Sequence, residues 1–281
     1  MFLVLLAISL CSTSTSLHIL PQKVPAVENT NGISYALDLS QLVSPTTFQC
    51  IRRYGYNVVF LRAYSPYNQG QVDPNIVSNI KNAFYAGLGT EVYMTPQPNS
   101  VKTGIQQFDE MYSYLTTSGI KVRTVWIQVT SPINWSYTIA RNTNFIRNIL
   151  NRARQYGVNV GIYTNVYDWN QITNGLVVNN AMLWYWNVFG PGISGESSSD
   201  FGDFRSFGGW NKVMVKQFAQ VESVCGVTVN RDIYKTASMP SSIGISKLTA
   251  PIEKSESMKP QEIVVGGLGL SDTSTFAEKK Q

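Results

Sequence analysis

The 281-residue sequence holds one histidine, His18, and three cysteines. A Ser-His-Asp triad has no usable imidazole, because His18 borders a removable leader. No Cys/His zinc centre can be assembled from Cys11, Cys50 and Cys225, and no cofactor or metal is expected. Charged residues make up 14% and hydrophobic ones 43%, which excludes a disordered chain and favours a packed core. Beyond the leader no stretch approaches the ~18 uninterrupted apolar residues of a membrane span, so no membrane insertion is expected. The length suits one α/β barrel or one large sandwich.

The charge that is present is unevenly placed. From Thr236 onward, Lys247, Lys254, Lys259, Lys279 and Lys280 are balanced by Glu253, Glu256, Glu262, Asp272 and Glu278, so the net +5 falls on the rest of the chain. Mild basicity favours approach to anionic polymers without choosing among them, and it also reads as ordinary solubility charge.

Met1 to Leu10 are almost wholly apolar and Cys11 to Ser16 small and polar, the pattern of a secretory signal cleaved near Ser16, although no basic residue precedes it. Secretion or passage into a secretory or endo-lysosomal lumen follows. Cleavage removes Cys11 and leaves Cys50 and Cys225, which an oxidising compartment would join as a disulfide; two free buried thiols are the alternative. The sequon Asn134-Trp135-Ser136 then becomes a glycosylation candidate.

The middle of the chain alternates strand-like and helix-like stretches. Strands are expected at 35–40, 57–63, 90–95, 121–130 and 158–164, with helices from Ser44-Pro45 through Arg53 and over 75–86, 103–117 and 142–156. After Trp169 three further strands, at 182–189, 213–219 and 227–234, are joined by Gly/Ser/Asp-rich connections. About five βα units followed by three strands predict a single-domain α/β fold, a modified TIM-type barrel over 17–235; an open doubly wound sheet is the alternative. Residues 236–281, rich in Ser, Lys and Glu, read as a disordered tail.

In such a barrel the active site lies at the C-terminal strand ends. Alternation puts Asp38 on the face of Ala36 and Ser40, and groups Glu91, Tyr93 and Thr95; Trp126, Gln128 and Thr130; Gly161, Tyr163 and Asn165; and Thr228, Asn230 and Asp232. If these faces are the inner ones, they converge on one mouth. Aromatics crowd the same stretches: Trp126, Trp135, Tyr163, Trp169, Trp184, Tyr185, Trp186 and Trp210. A polar mouth rimmed by rings suits sugars, though any one ring is equally well placed as core. Tyr93, Trp126, Gln128, Thr130, Tyr163, Trp184 and Asn230 are the binding candidates. Arg62 and Glu91 are expected to pair inside the barrel. Gly190-Pro-Gly192-Ile-Ser-Gly195 spells a nucleotide-binding pattern, but Pro191 and the polar run after it open no helix, so no nucleic acid or nucleotide is expected. Arg141, Arg147, Arg152 and Arg154 read as a solvated helix face.

The ordered set of segments resembles glycoside hydrolase family 25, and its nematode and amoeba lysozyme-like branch in particular. The matching stretches are Tyr35–Gln41, Arg62–Tyr64 with Gly70–Asp73, Ala86–Gly89, Val125–Thr130, Gly161–Thr164 with Trp169, Leu183-Trp184, Lys216-Gln217 and Cys225–Asp232. The resemblance implies a modified barrel and hydrolysis of the bond between N-acetylmuramic acid and N-acetylglucosamine in peptidoglycan. It also implies a departure. The family's Asp-x-Glu on the fourth barrel strand falls on Gln128 and Thr130, and an Asp of the last strand falls on Asn230; Asp38 is kept. Glycoside hydrolysis ordinarily needs an acid and a second carboxylate. Asp38 with Asp232 is the candidate substitute pair, with Glu91 as a third acid. Three functions follow as expectations: a secreted, monomeric antibacterial lysozyme with rewired acids, a glycan-binding protein that has lost catalysis, or an extracellular scaffold.

Overall fold

A computed structural model describes Val27, residues 32–235 and residues 262–268. The expected signal segment 1–16 lies outside the described residues, as does most of the expected tail.

Eight strands close into a barrel. They are β1 (Ile33–Leu39), β2 (Tyr56–Ser65), β4 (Gly89–Met94), β6 (Thr124–Gln128), β7 (Asn159–Thr164), β8 (Met182–Trp186), β9 (Val215–Val224) and β10 (Val227–Lys235), with β10 returning to β1. All neighbours are parallel except β10, which runs antiparallel to both β9 and β1. A two-residue strand, β3 (Gln71–Val72), pairs with the end of β2. The first five barrel strands are each followed by a helix: α1 (Pro45–Arg53), α2 (Ile76–Tyr85), α3 (Gly104–Thr117), α4 (Ile139–Gln155) and α5 (Val166–Thr173). This is the modified barrel that the alternation predicts, not the open sheet.

Local chemistry starts the helices where they start. Ser44 accepts a hydrogen bond from the Thr47 N–H and Pro45 fills the first turn of α1. Thr103 and Gln106 form a reciprocal capping box on α3. Asn165 caps α5, a helix the sequence pattern did not delineate because Val166 and Tyr167 face solvent.

Two apolar layers result. Leu37, Val59, Leu61, Ile80, Phe108 and Ile146 pack between sheet and helices. Ala36, Val58, Phe60, Tyr93, Trp126, Tyr163, Trp184, Val215 and Tyr234 fill the barrel itself. Gly161 has no substitute here, because a Cβ would sit 2.0 Å from the Trp126 ring.

Two expectations change. The stretch 121–130 is not one strand. It divides at Arg123 into β5 (Ile120–Val122) and β6. β5 pairs in parallel with β11 (Ile263–Val265), inside the segment read as disordered. Residues 262–268 are therefore ordered against the barrel base, and Leu268 is buried among the interior residues. The Ser/Lys/Glu-rich composition of the whole tail masked a short Ile-Val-Val run with its own partner strand. Cys50 on α1 and Cys225 in the β9–β10 turn are joined by a disulfide, with Cα atoms 6.0 Å apart.

Candidate active site at the barrel mouth

The inner face of β1 ends on Asp38, and antiparallel register sets Asn230 of β10 directly across from it. Asn230 Nδ2 donates to Asp38 Oδ1 at 3.0 Å. Two residues along β10, Asp232 stands opposite Ala36, and its Oδ1 accepts from Trp184 Nε1 at 2.9 Å. The second oxygen of each carboxylate has no hydrogen-bond partner among the described residues. Asp38 is 5% exposed and Asp232 is fully buried. Burial lifts the Asp38 carboxyl to about 7, opposed by the Asn230 hydrogen bond. Burial and then the neighbouring Asp38 push Asp232 well above the ordinary carboxylate range. The two acids share one desolvated floor, with Tyr163 stacked on Trp184 at 4.1 Å and its hydroxyl donating to Gln217.

The positions where the resemblance places an acid are occupied by a neutral chain. Thr95 Oγ1 donates to Gln128 Oε1 at 2.6 Å, and Gln128 Nε2 donates to Thr130 Oγ1 at 3.1 Å. These residues lie in a groove of about 720 Å³ beside the floor, lined also by Ser65, Tyr67, Gln97, Asn99, Ile133 and Trp135. Asn134, the sequon residue, is exposed on its rim.

Several candidate residues take other roles. Arg62 does not pair with Glu91; its Nε bonds Asp73 at 2.8 Å. Glu91 sits at the opposite, lower end of the barrel, where it accepts hydrogen bonds from Trp126 Nε1 and from the backbone N–H groups of Gly267 and Leu268. Desolvation outweighs these three donors and raises Glu91 to about 7. It is thus no third acid of the mouth. Trp126 and Trp184 are fully buried, so they are barrel filling and not binding surfaces, and Trp135, Trp169, Tyr185 and Trp210 are also core. Closing the sheet turns every inward ring into the interior of a barrel too narrow to leave it exposed. Tyr93 and Tyr163 form the buried floor. Asn165 caps α5 instead of lining the mouth.

Other residues at the mouth were not singled out from the sequence. Asp168, in the first turn of α5, is buried, accepts from Trp186 Nε1 at 3.2 Å, and is raised above the ordinary range by desolvation. Its spacing from Asn165 reads as a helix-start acid, which hides its position behind the groove wall. Gln217 lies in a stretch that carries the resemblance but was given no role at the mouth; the register of β9 sets it across from Asp232. Among the rings that face solvent, Tyr67, Tyr137 and Phe189 lie in loops after β2, β6 and β8, Tyr167 lies in the first turn of α5, and Tyr85 and Tyr114 lie on α2 and α3. Aromatics in short polar loops were the available signal.

Comparison with known proteins agrees with this architecture. A family model described as lysozyme-like protein 1 matches residues 29–218. Lysozyme-like protein 7 of Caenorhabditis elegans is 51% identical over 220 residues, covering 77% of this chain and 78% of that protein. Lysozyme-like protein 1 of the same organism is 46% identical over 244 residues, covering 86% and 82%. Among solved structures, a family GH25 lysozyme from Aspergillus fumigatus superposes with a TM-score of 0.56 at 16% identity, over 72% of this chain and 93% of that one.

Proposed function

This chain belongs to the lysozyme-like protein family, and from that membership we propose that it is a secreted antibacterial protein that binds bacterial peptidoglycan without hydrolysing it efficiently. One observation carries the second half of that reading. The groove holds Gln128 and Thr130 in a closed neutral hydrogen-bond chain, while the acids of the floor are buried. An amide and a hydroxyl cannot protonate a glycosidic oxygen usefully near neutral pH, and the loss of general acid catalysis costs roughly 10²–10⁴-fold. The groove offers amide and hydroxyl partners for sugar hydroxyls and acetamido groups beside the ring of Tyr67. The Cys50–Cys225 disulfide supports passage through an oxidising compartment.

A second reading has its own support. Asp38 and Asp232 are adjacent carboxyls with raised proton affinity, which is how an acid and a charged partner are separated in pKa. On that reading the protein is a slow muramidase.

One assay separates the two. Mature protein is incubated with purified peptidoglycan across acid to neutral pH, and both pelleted protein and new reducing ends are measured. Co-pelleting without new ends is expected. New ends that vanish in Asp38→Asn would replace the binding reading with the enzymatic one, and neither signal would overturn both.

A further inference from the structure

The groove is almost free of charge in a protein that is not. Among the described residues that line it, Arg62 alone is ionic, and its guanidinium is held by Asp73 at 2.8 Å. The loops that build the walls, 66–70 after β2, 95–101 after β4 and 129–138 after β6, contain no Asp, Glu, Lys or Arg. They are bound to one another by neutral contacts: Gln97 Nε2 to the Pro66 carbonyl at 3.0 Å, Ser100 Oγ to the Gln69 carbonyl at 2.7 Å, and Asn99 Nδ2 to the Asn134 carbonyl at 2.9 Å. Lys102, just beyond the second loop, is paired with Glu110, and Arg141 rests its guanidinium on the Pro98 carbonyl at the outer edge. None of Asp38, Asp232 and Asp168 is in the groove lining, and Asp168 accepts a hydrogen bond from the backbone of Ser131, which is.

Placement of charge matters more than its total. A protein that captures an anionic polymer through a cleft lines that cleft with Lys and Arg, because each cation there gains Coulomb energy and steers approach. Here the net +5 is spent elsewhere, for example on Arg147 and Arg154 along the exposed side of α4. A free carboxylate entering this groove would find no unpaired cation among the described residues of its lining.

We infer that the groove selects glycan segments that place no free carboxylate within it: N-acetylated sugars whose lactyl carboxyls, where present, are masked as amides. The inference rests on the glycan-binding reading above and narrows its ligand. Exposed Tyr67 and Ile133 supply faces for sugar C–H groups, and the amides and hydroxyls of Gln97, Asn99 and Thr130 supply neutral hydrogen bonds.

The test uses one backbone in two charge states. Peptide-free strands of alternating N-acetylglucosamine and N-acetylmuramic acid are prepared with lactyl carboxylates free, and again with them converted to methylamides; a chitin hexamer is the third probe. Binding to each is measured by calorimetry with mature protein at low and high salt. The methylamide strand is expected to bind roughly threefold tighter or more than the free acid, with little salt dependence. Equal or tighter binding of the acid strand, or binding abolished by salt, overturns the inference and leaves glycan binding intact. Retention of the chitin hexamer alone upholds selection for uncharged glycan and removes the bacterial-wall reading. Binding to none overturns both. The variant Ile133→Lys, at a residue 89% exposed, places a cation on the rim without disturbing packing. Losing the apolar face weakens binding of both strands, but the ratio of acid-strand to methylamide-strand affinity is expected to rise; an unchanged ratio would overturn the inference.

Discussion

Asn230 Nδ2 donates to Asp38 Oδ1 at 3.0 Å across the antiparallel seam between β10 and β1. The amide lowers the cost of keeping Asp38 ionised in a site where desolvation dominates. Asn230→Asp would replace the donor with a second carboxylate. The variant should melt at a lower temperature than the parent above pH 7, and the gap should close below pH 5, where both carboxyls hold protons. Melting curves at the two pH values check this.

The same floor sets the pH dependence of stability. Asp38 rises from 3.8 to about 7 on folding, and Asp232 is raised as well. Between these values the folded state holds protons that the unfolded chain has released, so stability falls as pH rises. The contribution is fully present below about pH 4 and lost as pH climbs through about 7. Urea midpoints should therefore decline from pH 5 to pH 8, with a shallower decline in Asp38→Asn.

Restoring the acid positions tests the catalytic account directly. The double variant Gln128→Asp, Thr130→Glu puts carboxyls where the resemblance places them. If the surrounding groove still positions a glycan, reducing-end release should rise roughly 10²–10⁴-fold over the parent. No rise in a folded variant would mean that more than the acids has been lost.

The base of the barrel depends on a distant segment. Glu91 holds the Gly267 and Leu268 N–H groups, and Leu268 is 1% exposed among the interior residues. Leu268→Ala should cost about 2–5 kcal/mol in urea unfolding. Glu91→Gln should also destabilise, by about 1–3 kcal/mol, because its amide NH₂ would face one of three donors.

The Cys50–Cys225 bridge closes a long loop, 175 residues in sequence separation. Cys50→Ser with Cys225→Ser should lower stability by about 2–5 kcal/mol without altering the barrel's far-UV circular dichroism at low temperature.

The barrel was legible because its signals are local. Strand alternation, helix spacing and caps such as Ser44 and Thr103 repeat over a few residues, and parity along β1 and β10 was enough to put Asp38 and Asp232 on the inner face. The same parity placed Trp126 inward, but it carries no depth. Whether an inward ring rims a mouth or fills a core depends on strands far apart in sequence closing around it. Closure buried Trp126 and Trp184 and desolvated the two aspartates. It also left a groove among three neutral loops and brought residues 262–268 onto β5 and Glu91. Those outcomes are set by contacts spanning 35 to 192 residues, as between Trp126 and Glu91 or Asn230 and Asp38, and no local period records them.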